Sequence, residues 1–337
     1  MPMSKVFSQL GQHLFIGLTG TELTSADRRL LKSVQPGGIV LFARNIESAT
    51  QARDFCDMLH REFSYRPFIA IDQESGRVNR LREVVGEIPT IPQLKQSGAV
   101  APVEGFGQMI GRWLSKLGID INFAPVLDLE LFDEKTDNAL RERCWGRTAD
   151  EVIRWAGAFL DAMEREGVIA CPKHFPGLGG ATLDSHEKLP TILRTRKQLL
   201  RDDVQPYTVW VSRLKMIMVG HGHYPAFDGP KPLPASVSHN VMTKLLREQM
   251  GYDGLIVIDD MEMGAITQFG LFEDTVVGAL RAGADVILVC HRAEKALAAH
   301  EALVKAAEQG RIPTRRLCES AEHIARLHAD WIGCQTP

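Results

Sequence analysis

Gly167-Val168-Ile169-Ala170-Cys171-Pro172-Lys173-His174-Phe175-Pro176-Gly177-Leu178-Gly179-Gly180-Ala181-Thr182-Leu183-Asp184-Ser185-His186 sets the pattern on which the chain is built. A short apolar, β-favouring run at 167–171 ends in a Lys-His pair, and a glycine-rich loop carrying Asp184 and His186 follows. Glycine at this density lets a backbone move or approach a ligand closely, and the imidazoles and carboxylate are groups that chemistry can use. In an extended loop Asp184 and His186 share a face. The carboxylate can then orient the imidazole and raise its pKa, which suits a general acid that later serves as base.

The same arrangement repeats on either side. Apolar runs at 13–17, 38–42, 68–71, 119–124, 216–219, 254–258 and 284–289 alternate with helical patterns. The helices are expected at about 24–33, 48–63, 102–117, 149–166, 196–214, 241–250 and 276–281, with two more near 294–308 and 315–328. Together with 167–171 this makes eight strands, each apolar on both faces, the count and pattern of a parallel (β/α)8 barrel. A doubly wound sheet is the alternative. The expectation is a single α/β domain over residues 1–337: a TIM-type barrel with room for irregular strands, an extra C-terminal helix, and a mobile catalytic loop at 173–188. Asp72, Asp128, Lys173, His174, His221, His223, Asp259 and His291 all fall at or just beyond strand C-termini, which ring the catalytic mouth of a barrel. Scattered surface charge would not align in this way, so the pattern points to an enzyme.

Composition narrows the partners. A chain of 337 residues that is 45% hydrophobic can bury a large core, and a formal net charge of -3 gives no basic face for nucleic acid. The six cysteines form no CxxC pair, which suits buried thiols in a reducing compartment better than a disulfide framework. No apolar run approaches the roughly 18 residues of a membrane helix, and the N-terminus is too polar for a signal-peptide core. A cytoplasmic protein, monomeric or weakly dimeric, with neither a membrane nor a nucleic-acid partner, is expected.

Asp259 ends a strongly apolar strand, so its carboxylate should be held at a fixed position, as a nucleophile requires, while Asp260 should point elsewhere. A different chemistry would use His174, His186, His221 and His223 with Asp259 as zinc ligands, with His221-x-His223 as its best local support. Neither an HExxH helix nor a tight cysteine set accompanies it, so no metal and no cofactor is expected. Gly177 to Gly180 opens neither a P-loop nor a dinucleotide fingerprint.

These residues also carry a resemblance. Pro36 to Asn45, the IDQEGGRV-like Ile71 to Val78, the NFAPVLD of Asn122 to Asp128, the KHFPGHG-like Lys173 to Gly179, Leu233 to Ser236, and Gly254 to Met261 occur in one order along the chain. That set resembles the bacterial family 3 glycoside hydrolases of the β-N-acetylhexosaminidase type used in peptidoglycan recycling. The resemblance implies a retaining exo-β-N-acetylglucosaminidase acting on GlcNAc-containing muropeptides such as GlcNAc-1,6-anhydroMurNAc-peptides. It implies Asp259 as nucleophile and His186 as proton donor and acceptor, oriented by Asp184. Asp72, Arg80, Arg143, Lys173 and His174 would be substrate contacts, Arg143 being placed through Arg141-Glu142-Arg143-Cys144-Trp145-Gly146, with Arg141 close by.

Three positions depart from the family pattern. Leu178 replaces the second His of KHFPGHG, Ser75 the first Gly of the GG pair, and Gly180 stands where many relatives carry Asp. None removes an expected catalytic residue. Other sugar or acceptor preferences, phosphorolysis, and a catalytically inactive glycan sensor on the same scaffold are the alternative functions.

Overall fold

A computed structural model describes residues 9–132, 140–181 and 188–335. Asp184 and His186, and with them the centre of the expected catalytic loop, lie outside the described residues. Eight parallel strands form one sheet: β1 (Leu14–Gly17), β2 (Gly38–Leu41), β3 (Phe68–Ile71), β4 (Ile121–Asn122), β5 (Ile169–Ala170), β6 (Met216–Val219), β7 (Leu255–Ile258) and β8 (Val286–Val289). Their order is β5-β4-β3-β2-β1-β8-β7-β6, a (β/α)8 barrel whose ladder lacks only the β5–β6 pairing.

The seam between those two strands is closed by the segment from Pro172 to Phe175. Met218 N–H donates to the Pro172 carbonyl (2.9 Å), Phe175 N–H to the Met218 carbonyl (2.8 Å), and Gly220 N–H to the Phe175 carbonyl (3.1 Å). β4 and β5 are each two residues long, shorter than the expected 119–124 and 167–171. Pro125 and Pro172 lack the N–H that a continued ladder would use. The helix expected at 196–214 is likewise divided into Arg196–Gln198, a π-turn at Leu199–Asp203, and Gln205–Trp210. Pro206 offers no N–H to the carbonyl four residues back, which favours the wider turn before it.

Side-chain alternation along the strands separates two apolar sets. Phe15, Val40, Phe68, Ala70, Ile169, Cys171, Met216, Met218, Leu255, Val257, Val286 and Leu288 fill the barrel, while Ile16, Ile39, Leu41, Ile69, Ile71, Ile217, Val219, Ile256 and Ile258 face the helices. The C-terminal helix Thr314–Gln335 closes the floor: Ile324, Leu327 and Trp331 pack on the inner set, and Trp331 Nε1–H donates to Asp120 Oδ1 (2.9 Å). Cys56, Cys144, Cys171 and Cys290 are buried free thiols. Among the described residues no helix is long and apolar enough to cross a membrane.

The packing of Leu327 makes a testable claim about the floor. Leu327→Ala is expected to lower stability by about 2–5 kcal/mol, seen as a fall in the denaturation midpoint with an unchanged m-value.

Candidate active site

Extending the inward rows beyond the C-terminal ends of the strands places Phe42, Asp72, Lys173, Asp259 and Cys290 around the top of the barrel. All five line one cavity of about 580 Å³, with Val40, Met218 and Leu288 beneath them. Glu74, Arg80, Arg143, His174, Leu178, Asp260 and His291 complete the parts of its wall that bear on the chemistry.

One side of the cavity is a buried charge network. Lys173 Nζ bonds Asp72 and lies 2.7 Å from Glu74 Oε1. Arg143 grips Glu74 with both arms, Nε to Oε2 at 2.8 Å and Nη2 to Oε1 at 2.7 Å. Burial alone would raise the Glu74 pKa, but Arg143 and Lys173 reverse this and hold it well below the usual carboxylate range. Burial would likewise discharge Lys173, and Asp72 and Glu74 more than offset that, so its pKa is raised. Arg141 is exposed and absent from the cavity wall, so the geometry selects Arg143 between the two candidates.

His174 is fixed from behind. Its Nδ1–H donates to Asp128 Oδ2 (2.6 Å), its backbone N–H reaches the same oxygen (3.2 Å), and Asp128 Oδ1 accepts from Leu178 N–H (2.6 Å). This tautomer leaves Nε2 3.9 Å from Asp259 Oδ2. The nucleophile candidate receives the Asp260 N–H on Oδ1 at 2.8 Å. Burial pushes the Asp259 pKa up, but the His174 and His221 imidazoles and the Asp260 N–H outweigh it, and the net shift is downward. The carboxylate is therefore an anion at neutral pH, open to the cavity.

Several expected site residues stand one layer back. Asp128 orients His174. His221 is buried, its Nε2–H donating to the Asp260 carbonyl (3.0 Å) and its Nδ1 lying 2.7 Å from Ser236 Oγ. Burial lowers its pKa. His223 is turned to Leu233 through Nδ1, so the His-x-His pair does not present a joint ligand face. Arg80 lies over the opposite wall, its guanidinium carbon 5.9 Å from the centre of the Phe42 ring. Asp260 directs its carboxylate to His291 rather than alongside Asp259, in keeping with the expected divergence of the two, although it still lines the cavity. Glu74 is the residue that sequence reasoning passed over. A signal was present: a glutamate beside Asp72, on a loop facing an Arg and a Lys that both need an anion.

The departures have local explanations. Leu178 is buried against Gly220 and Gly222, where an added Cβ would come within 3.0 and 2.9 Å of its methyl groups. Ser75 does not occupy a positive φ, whereas Gly76 does (φ +51°), so the serine falls at the position that tolerates a side chain. Gly179 is obligatory for another reason, since a Cβ there would sit 2.0 Å from the Leu129 carbonyl oxygen.

The Glycosyl hydrolase family 3 N terminal domain matches residues 6–327. The chain belongs to glycoside hydrolase family 3. This family 3 hydrolase is 32% identical to a β-hexosaminidase of Idiomarina loihiensis over 93% of its own chain and 92% of that protein. It is 34% identical to a β-hexosaminidase of Pseudomonas aeruginosa over 86% of both chains. It superposes on a family 3 β-N-acetylglucosaminidase from Paenibacillus sp. with a TM-score of 0.92 at 35% identity, covering 98% of its own chain and 63% of that longer one.

Removing the shared anion of the network tests it. Glu74→Gln is expected to cost about 3–5 kcal/mol at neutral pH, because Arg143 and Lys173 lose a buried partner. Glu74 has a depressed pKa in the folded state, so its contribution is complete above the unfolded value. It is lost as pH falls from about 4 toward the folded value. Denaturation from pH 7 down to 3 should therefore show the gap between wild type and E74Q narrowing below about pH 4.

Proposed function

We propose that this family 3 hydrolase is a retaining exo-β-N-acetylglucosaminidase that removes terminal GlcNAc from peptidoglycan fragments such as GlcNAc-1,6-anhydroMurNAc-peptides. The observation that carries the reading is Asp259: an ionised carboxylate, fixed by one backbone N–H, at the mouth of a cavity walled by paired acids and bases. Asp72, Glu74, Lys173 and Arg143 offer acceptors and donors already charged and desolvated, which suits recognition of sugar hydroxyls at one fixed orientation. The name of the Paenibacillus β-N-acetylglucosaminidase supports GlcNAc as the sugar, and the names of the two relatives support a β-hexosaminidase.

In this mechanism Asp259 attacks the anomeric carbon while His186, oriented by Asp184, protonates the departing glycosidic oxygen. The neutral His186 then takes a proton from water, which cleaves the glycosyl ester and returns Asp259 as a carboxylate. An imidazolium in the acid role is attracted to the Asp259 anion, whereas a second carboxylate would be repelled by it. Asp72, Arg80, Arg143, Lys173 and His174 hold the sugar.

Three measurements test this. The enzyme is expected to cleave an aryl β-N-acetylglucosaminide well ahead of the matching β-glucoside; equal rates reject the GlcNAc preference. His186→Ala should lower turnover by about 10²–10⁴-fold with GlcNAc affinity nearly intact, and unchanged turnover removes its acid/base role. Asp259→Ala should abolish covalent trapping by a 5-fluoro GlcNAc derivative, and labelling that persists elsewhere removes Asp259 as nucleophile.

A further inference from the structure

Two polar residues of the mouth have no part in the mechanism above: Asp260 and His291. His291 Nε2 lies 3.1 Å from Asp260 Oδ2 as an ion pair, with the imidazole half exposed and the carboxylate largely buried. The contact joins the end of β8 to the turn after β7, and a second contact reciprocates it. Glu262 Oε2 accepts the backbone N–H of His291 (2.7 Å) and of Arg292 (3.1 Å), and its Oε1 meets Arg292 Nε at 2.7 Å.

The Asp260 residue is thus held on every side. Its carbonyl accepts from His221, its Oδ1 from Glu262 N–H (3.1 Å), and its Oδ2 is ion-paired with His291. Its own N–H is the group that grips the Asp259 carboxylate. His291 itself is framed. Asp260 and Glu262 approach from the β7 end, Phe42 and Arg44 from the β2 end, and Cys290 and Arg292 flank it in sequence. The Phe42 and His291 rings lie 5.2 Å apart, and the Arg44 guanidinium covers Phe42 at 4.3 Å while bonding the Cys290 carbonyl.

Two carboxylates on consecutive residues at the end of one buried strand repel each other unless one is neutralised. Asp259 is served by His174 and His221, and among the described residues His291 is the cation that touches Asp260. We propose that His291 is a positioning residue for the reaction: as an imidazolium it neutralises Asp260 and clamps the turn whose N–H holds Asp259. This rests on the reading of Asp259 as nucleophile. Geometry carries the inference, and the electrostatics agree with it. The hydrogen bond to Asp260 raises the His291 pKa, while burial raises that of Asp260 even with His291 in place.

The test is His291→Gln, which retains a donor toward Asp260 and loses the charge, assayed on aryl β-N-acetylglucosaminides across pH. An uncompensated Asp260 anion disfavours ionisation of Asp259, so the acid limb of kcat/KM should move up by about half a pH unit or more. At the wild-type optimum kcat should fall by about tenfold with KM within about twofold, and equally for good and poor leaving groups, because the nucleophile and not the acid is affected. In an Asp260→Asn background the charge is already gone, and H291Q should add little further loss. A wild-type pH profile overturns the proposal, as does a loss confined to KM, a loss that grows with leaving-group pKa, or additive effects in the double variant. Fluorosugar labelling separates this from failure of the function itself: labelling that disappears in D259A beside a wild-type-like H291Q discards only the role of His291.

Discussion

The mouth of this barrel depends on two cations and two carboxylates that share one desolvated place. Lys173 closes the barrel seam through its backbone neighbours and reaches Asp72 and Glu74 with its side chain, and Arg143 completes the set from the loop after β4. Each ion alone would be driven to neutrality or to solvent by burial. Only together do they stay charged, and the requirement ties β3, the β4 loop and β5 into one rigid wall. In the proposed reaction a sugar replacing water at that wall would meet dipoles and charges already oriented, so that little reorganisation would accompany binding.

On the opposite flank the structure solves a related problem with histidines. Asp259 needs to remain an anion while losing most of its water. His174 faces it at 3.9 Å, with its tautomer fixed by Asp128, and His221 is locked behind it as a donor to the Asp260 carbonyl. The histidines are therefore not interchangeable members of a cluster. Each has one nitrogen assigned to holding a partner, and that assignment sets what the other nitrogen can do.

Much of the architecture was legible because the barrel writes the same rule eight times. Period-two alternation gives the inward rows, and continuing a row beyond the strand end gives Phe42, Asp72, Lys173, Asp259 and Cys290 at the rim. What escaped that rule involves contacts between distant loops. Glu74 sits off the strand rows, and its role exists only because Arg143, 69 positions away, folds onto it. Strand lengths at β4 and β5 were overestimated because apolar character persists past the prolines that end the ladder. The π-turn at Leu199–Asp203 follows from Pro206 within a segment that otherwise reads as continuous helix. Whether Ser75 could replace a glycine depends on backbone geometry that no pattern shows, and the positive φ of the pair falls at Gly76.

The Gly-rich stretch after Lys173 is part of the core as far as the structure describes it. Through Gly179 it is packed as core: Leu178 fills the space above Gly220 and Gly222, Asp128 takes its N–H, and the Gly179 Cα lies against the Leu129 carbonyl too closely for any side chain. A polar group in place of Leu178 would need its own partner in that apolar contact. The departure from the family pattern there is thus coupled to how firmly the fixed end of the loop is held. At Gly180 an added Cβ would meet the Arg194 and Ile192 side chains at 3.1–3.3 Å, and Arg194 is itself held by Asp202 and Asp203. Packing continues to Ala181, which is buried in the core and donates its N–H to the Leu178 carbonyl (2.9 Å), a few residues before the acid/base pair proposed at Asp184 and His186.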